Sequence, residues 1–418
     1  MTRRDTKCCA GLFVVMVASA AILPVLKAQN AGSPAAQASA PEPPARFAFG
    51  GNAAQIPADF VRNLIFLPVR VNASRTFLFQ LDSSAATSSI DPEQAARLDV
   101  KLQTGNASAD SSPPSARDVL LELPGLQLPM TSLPELSRQK FAEQSGQSSL
   151  GVLGKDFFDR VVIEVDYLRQ TVQLYDPSVF AYSGTGKSFP LSFAGELPLL
   201  RAKAEISGHK TVDADFVLDT GLDSAIVFYR AFTDSERISA AHFKTVPAYY
   251  PEIDDGAKIL LGSLRGFQIG QYAVEAPVAV FSQSNSSATA DKKIAGAIGA
   301  NFLRRFTVIF DFPHQRVILE PNLQFNHSVD EDMSGLSVIA QGSNLRTFEV
   351  VHVQAGTPAA DAGIQPGDVI AAVDDEAAAD LTLSAVRDLF RQIGHEYKLL
   401  IDRKGQSLTV SIKMHRVI

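Results

Sequence analysis

A ten-residue segment recurs in this chain 145 positions after its first appearance, and that duplication narrows the possible folds more than any other feature. Gly151-Val152-Leu153-Gly154-Lys155-Asp156-Phe157-Phe158-Asp159-Arg160 returns as Gly296-Ala297-Ile298-Gly299-Ala300-Asn301-Phe302-Leu303-Arg304-Arg305. The register holds onward, with Asp166, Gln170, Val172 and Leu174 matching Asp311, Gln315, Val317 and Leu319. Each copy reads as a glycine turn, a short helix, an apolar strand, an acidic turn and a second apolar strand. A match this long points to a duplicated lobe.

The segments upstream repeat as well. Ile65 to Val71, a turn at Asn72-Ala73-Ser74, and Thr76 to Leu81 lead into Asp82. Leu200 to Ile206, a turn at Ser207-Gly208-His209, and Val212 to Leu218 lead into Asp219. Each is expected to be a β-hairpin that delivers an aspartate at a strand end. Asp219 follows Asp82 by 137 positions, against 145 for the glycine turns, so the second lobe is eight residues longer from aspartate to glycine turn.

Short apolar runs broken by Gly, Pro, Asn and Ser continue from Phe47 to about Pro321, and helical periodicity is scarce. The expected fold is mainly β, with duplicated lobes at 47–180 and 181–325. A change of composition marks a third domain at 330–416, α+β in type. Its expected helix runs from Leu383 to Ile393, with apolar Val386, Leu389, Phe390 and Ile393 at helical spacing. Two closing strands, Lys398 to Asp402 and Leu408 to Lys413, follow it.

The N-terminus carries Arg3, Arg4 and Lys7 before an apolar run from Cys8 to Leu26. A positive start, a short apolar stretch and a small residue at its end describe a secretory signal, here 1–28. The alternative is an uncleaved anchor of marginal length; Pro24 and the Ala-rich stretch after it favour cleavage. Residues 29–46, rich in Ala, Pro, Ser and Gln, are expected to be a flexible linker. Cleavage would remove Cys8 and Cys9, the only two cysteines, which leaves no thiol for nucleophilic or zinc chemistry. An exported protein, periplasmic or secreted, follows.

The net charge is −7 and no basic block stands out, so nucleic acid is not an expected partner. The seven histidines are scattered without zinc spacing, and no Gly-x-Ser-x-Gly turn or phosphate-cradling loop occurs. Neither a metal nor a cofactor is expected. What remains is the pair Asp82-Ser83-Ser84-Ala85 and Asp219-Thr220-Gly221-Leu222. Carboxylates on equivalent turns face each other if the lobes pair symmetrically. Two in close contact share one proton. One then acts as general base on a water, and the other as general acid toward a substrate carbonyl.

This constellation resembles the retropepsin and pepsin clan of aspartic proteases, over roughly residues 47 to 321. Phe216-Val217-Leu218-Asp219-Thr220-Gly221 matches the first part of the clan's motif, and Val152-Leu153-Gly154 and Ala297-Ile298-Gly299 match the second part twice. The resemblance implies a bilobal pair of β-barrels related by a pseudo-two-fold, catalytic Asp82 and Asp219 supported by Ser83, Ser84, Thr220, Gly221, Gly154 and Gly299, and a peptide cleft between the lobes. The chain departs from the motif at Ser84, where the clan has glycine, and at Leu222, where a small residue is usual. Hairpin flaps are expected within Gly105 to Leu123 and within Tyr249 to Gly266.

The stretch Thr357-Pro358-Ala359-Ala360-Asp361-Ala362-Gly363-Ile364-Gln365-Pro366-Gly367-Asp368-Val369-Ile370 resembles a bacterial PDZ domain. The resemblance implies peptide binding at Gly335-Leu336-Ser337-Val338, with Val386 on the facing helix and a peptide C-terminus as ligand. Its alternative is a packing domain that covers the lobes. Together these features describe an exported aspartic endopeptidase acting on peptide or unfolded protein, with a PDZ domain for recruitment and no membrane span after signal cleavage. The alternative is a protease-like scaffold that binds peptide without cutting it.

Overall fold

In the computed structural model, the described residues are 43–48, 52–97, 103–104, 115–207, 210–238, 245–249, 258–284, 290–327 and 332–416. The expected export signal, most of the linker, the Gly208-His209 turn and the tips of both expected flap hairpins lie outside them. The chain is mainly β, with several sheets and a C-terminal domain that has an apolar core of its own. Among the described residues the sheets are open, where closed barrels were expected; strands of both lobes are shared in one sheet between them.

The first aspartate hairpin pairs Leu64–Val71 with Thr76–Leu81, Ile65 opposite Leu81. Its turn works because Asn72 and Ala73 both take left-handed backbone, the conformation that matches the twist of a tight hairpin. The second hairpin pairs Leu197–Ser207 with Lys210–Asp219, Leu199 opposite Val217. In each copy the strand that ends at aspartate lies parallel to the strand of the glycine turn. Leu81 is opposite Leu153 in one, and Leu218 is opposite Ile298 in the other. Both glycine-turn strands are buried along their whole length, which explains their near-continuous apolar sequence.

The copies meet through a six-strand arrangement. Ala53–Pro57, Thr171–Tyr175 and Val162–Asp166 come from the first copy. Phe306–Asp311, Arg316–Pro321 and Lys187–Ala194 come from the second. The seam pairs Val162–Asp166 with Phe306–Asp311, and there Glu164 lies opposite Ile309. Glu164 and Ile309 are also equivalent in the repeat, 145 positions apart. A residue facing its own equivalent places the pseudo-two-fold axis at that pair. Phe158 packs edge-on to Phe310 at 5.5 Å and against Phe312 at 4.9 Å, so the seam is also an aromatic core. Full burial of each such ring stabilises by about 1.5–3 kcal/mol.

The C-terminal sheet runs Leu336–Gln341, Thr347–Val353, Val369–Val373, Glu396–Arg403 and Gln406–Lys413 in spatial order. Its helix begins at Leu383, where Thr382 Oγ1 accepts the Ala385 N–H at 3.0 Å. The helix ends at Leu389, short of the Ile393 expected from periodicity. The Leu389 carbonyl is taken by the Tyr397 hydroxyl at 2.7 Å, and Ile393 lies beyond the helix, exposed. Asp368, buried at the start of the sheet, is held by Arg403 through two bonds of 2.7 and 2.8 Å, which keep its carboxyl below the usual range.

Candidate active site

Asp82 and Asp219 each emerge at the end of a buried strand, and the turns that carry them lock together. The Ser83 N–H donates to Thr220 Oγ1 and the Thr220 N–H donates to Ser83 Oγ, both at 3.0 Å. Each hydroxyl then donates across the lobe boundary: Ser83 to the Leu218 carbonyl at 2.7 Å, Thr220 to the Leu81 carbonyl at 2.9 Å. Both side chains are fully buried. All four bonds cross between the lobes, so the two turns cannot separate without breaking four buried hydrogen bonds.

The turns differ at their third residue. Asp82 Oδ1 accepts from the Ser84 N–H at 2.9 Å, the Ser84 hydroxyl at 2.9 Å and the Ala85 N–H at 3.1 Å. On the other side, Asp219 Oδ1 accepts from the Gly221 N–H at 2.9 Å. Gly221 has no room for a side chain: a Cβ there would lie 2.3 Å from Asp82 Oδ2. The Asp82 carboxylate thus rests directly on the backbone of the opposing turn. Ser84, at the equivalent place, turns its hydroxyl onto the dyad instead.

Burial and the nearby Asp82 charge push the Asp219 carboxyl up to about 7, against the opposing pull of the Ser84 hydroxyl and the Gly221 and Leu222 N–H groups. Asp219 therefore carries a proton through the acidic range, beside an Asp82 whose Oδ1 accepts three hydrogen bonds. A proton donor and a charged acceptor side by side are what general acid–base hydrolysis needs.

Gly154 and Gly299 sit beneath these turns. A Cβ on Gly154 would meet the Thr87 carbonyl carbon at 2.6 Å, and one on Gly299 would meet the Ser224 carbonyl oxygen at 2.1 Å. Close backbone approach at equivalent places in both copies explains glycine there.

Three residues not singled out in the sequence complete the site. Arg62, in the turn before the first hairpin, pairs with Asp223, four residues after Asp219, at 2.5 Å across the lobes. Gln80 and Arg138 are buried behind the Asp82 turn. The sequence signal for Gln80 is plain in hindsight: it is the one polar residue in Phe77-Leu78-Phe79-Gln80-Leu81.

The proposed peptide-binding residues of the C-terminal domain gather on its edge strand and facing helix. Gly335 adopts left-handed backbone, and the Leu336 N–H donates to Ser334 Oγ at 3.1 Å. Ser337 donates its hydroxyl to the Tyr249 carbonyl of the second lobe at 2.8 Å, and the Tyr249 ring packs on His352 at 5.0 Å. The Val338 carbonyl accepts from Arg387 on the helix at 2.8 Å. Val386 is fully buried in the domain core. The helix Gln139–Ser145 packs along the same edge strand, and Gly146 at its end lies against Leu383. The strand and the helix of this domain are thus engaged with the lobes.

Among the described residues no cluster of potential metal ligands occurs, and no helix is long and apolar enough to cross a membrane.

No curated protein matches this chain. Among solved structures, the aspartic proteinase from Irpex lacteus is similar at 12% identity and a TM-score of 0.41, over 66% of this chain and 99% of that one. The family model for the PDZ domain matches residues 331–414. The C-terminal sheet, its capped helix and this match together identify residues 331–414 as a PDZ domain.

Proposed function

We propose that the chain is an exported aspartic endopeptidase that hydrolyses peptide bonds with Asp82, Asp219 and an activated water. The observation that carries this reading is the reciprocal Ser83–Thr220 lock, which sets two unlike carboxyls on facing turns. Asp82, charged, takes a proton from the water as it attacks the scissile carbonyl carbon. Asp219, protonated, gives its proton to the carbonyl oxygen, so a neutral tetrahedral diol forms. Collapse returns a proton from the diol to the dyad and delivers one to the leaving nitrogen, and the C–N bond breaks. No metal or cofactor is required for this sequence. The PDZ domain supports a peptide-binding role; a peptide C-terminus or unfolded segment recruited at Gly335 to Val338 would have to displace the Ser337–Tyr249 bond and the helix Gln139–Ser145 from the edge strand before it is presented to the lobes.

The test is purified full-length mature protein incubated with a denatured protein mixture from acidic to neutral pH. A parallel sample contains an inhibitor that carries a hydroxyl in place of the scissile carbonyl. Cleavage that the inhibitor and Asp219→Asn both abolish supports the reading; cleavage unchanged in Asp219→Asn removes it. Export is tested separately, by the N-terminal sequence of the protein recovered outside the cytoplasm: a start near Gln29 supports signal removal, and an intact Met1 rejects it.

A further inference from the structure

The pseudo-two-fold is broken behind the dyad by two residues of the first lobe. Gln80 precedes Asp82 by two positions, where Val217 precedes Asp219. It is 1% exposed. Its amide nitrogen donates to the Gly221 carbonyl in the opposing turn at 3.4 Å, and its amide oxygen accepts from the Arg138 guanidinium. That orientation is the one in which both neighbours, a carbonyl and a cation, find the partner they need.

Arg138 is 8% exposed. Its guanidinium lies 3.9 Å over the Phe141 ring, and its Nε donates to Ser149 Oγ at 3.3 Å. Among the described residues no carboxylate stands within ion-pair distance of it. A buried cation without counter-charge costs several kcal/mol. The acidic groups whose charge reaches it are Asp82 and Asp91, with Asp82 the stronger influence. Asp91 is engaged by backbone donors, the Gln94 N–H at 2.8 Å and the Arg138 N–H itself at 2.6 Å. On the far side of the dyad, the charge of Asp223 is met by Arg62. The neutral donors on Asp91 leave its charge in place, so Arg138 faces the negative charges of Asp91 and of the dyad, the dyad's more strongly.

We propose that Arg138 is a positioning residue for the dyad: through Gln80 it fixes the Gly221 turn against Asp82, and its charge holds the pair's negative charge on Asp82 and the shared proton on Asp219. Its catalytic consequence rests on the peptidase reading above, but the charge placement does not require turnover. Burial pulls the guanidinium down to about 10, which still leaves it charged throughout the acidic and neutral range.

The experiment compares the native full chain with Arg138→Gln, Arg138→Lys and Gln80→Glu, the last of which neutralises Arg138 by an ion pair without removing it. Thermal melting identifies the folded variants. Carbon-13 carboxyl NMR on aspartate-labelled protein follows the dyad titration, with Asp82→Asn and Asp219→Asn for assignment, and the alkaline limb of the cleavage rate is recorded alongside. Loss of the charge in Arg138→Gln should move the upper titration of the dyad to higher pH by about one unit, a tenfold change in proton concentration. Gln80→Glu should move it the same way, and Arg138→Lys less than half as far. Titration curves that superimpose on the native one in folded Arg138→Gln, or in Gln80→Glu if Arg138→Gln does not fold, overturn the proposal. A shifted titration in a protein that cleaves nothing would reject the peptidase reading and keep this one; cleavage with an unshifted titration would do the reverse.

Discussion

Ser83 and Thr220, 137 positions apart in sequence, each donate a backbone N–H to the other's hydroxyl at 3.0 Å. Both are buried, so the exchange has no water to replace it. Thr220→Val keeps the shape but removes an acceptor from the Ser83 N–H and a donor from the Leu81 carbonyl. The expected cost is about 3 kcal/mol, from two buried groups left unpaired. Calorimetry should show a lowered transition for the lobes, with the PDZ transition unmoved.

The raised Asp219 carboxyl makes stability depend on pH in a fixed direction. Its folded value of about 7 lies above its ordinary 3.8, so the folded state binds more protons between those limits. Its contribution is complete below about pH 4 and is lost as pH rises through about 7. Asp219→Asn removes that dependence. The melting temperature of this variant relative to the native protein should therefore rise steadily from about pH 4 to about pH 8. A difference that stays flat over this range would show that Asp219 is not buried as a neutral acid.

Ser84→Gly restores the residue of the resembled motif and removes the hydroxyl that donates to Asp82 at 2.9 Å and pulls Asp219 downward. The alkaline limb of the pH–rate profile should move to higher pH, without loss of folded protein. An unmoved limb would mean that the Ser84 hydroxyl does not act on the dyad.

Gly221→Ala should be far more damaging than its size suggests. Its Cβ would fall 2.3 Å from Asp82 Oδ2, so the carboxylate or the turn must shift. A displacement of this order at reacting groups costs on the order of a hundredfold in rate. Cleavage by this variant should drop by at least that factor while the PDZ domain remains folded.

The PDZ edge strand is tied to the second lobe by Ser337 and Tyr249. Ser337→Ala removes one hydrogen bond worth about 1 kcal/mol, so amide exchange should quicken about fivefold at 245–249. Unchanged exchange would show that this contact does not hold the domain in place.

Much of this was legible in the sequence because it rests on repetition and on glycine. The copies at Gly151 and Gly296 and the hairpins before Asp82 and Asp219 follow from strand patterning alone, and the seam at Glu164 and Ile309 is the geometric consequence of the repeat. What patterning did not reveal depends on contacts between distant segments. The helix from Leu383 stops at Leu389, whose carbonyl accepts from both the Tyr397 hydroxyl and the Gln392 N–H of a tightened last turn. Nothing in the patterning around Arg138 singles it out, and only the fold places it behind Asp82. Ser337 reads as part of a ligand loop, and its partner proves to be a carbonyl of its own chain.

The most direct measurement is cleavage of a denatured protein by full-length mature protein at about pH 5, below the Asp219 titration, compared with Asp82→Asn and Asp219→Asn. The expected result is cleavage by the native protein and a loss of at least about a thousandfold in each folded variant. Native-level cleavage by either variant, or a native protein that neither cleaves nor binds the hydroxyl-bearing inhibitor, would contradict the assignment of these two carboxyls to one catalytic pair.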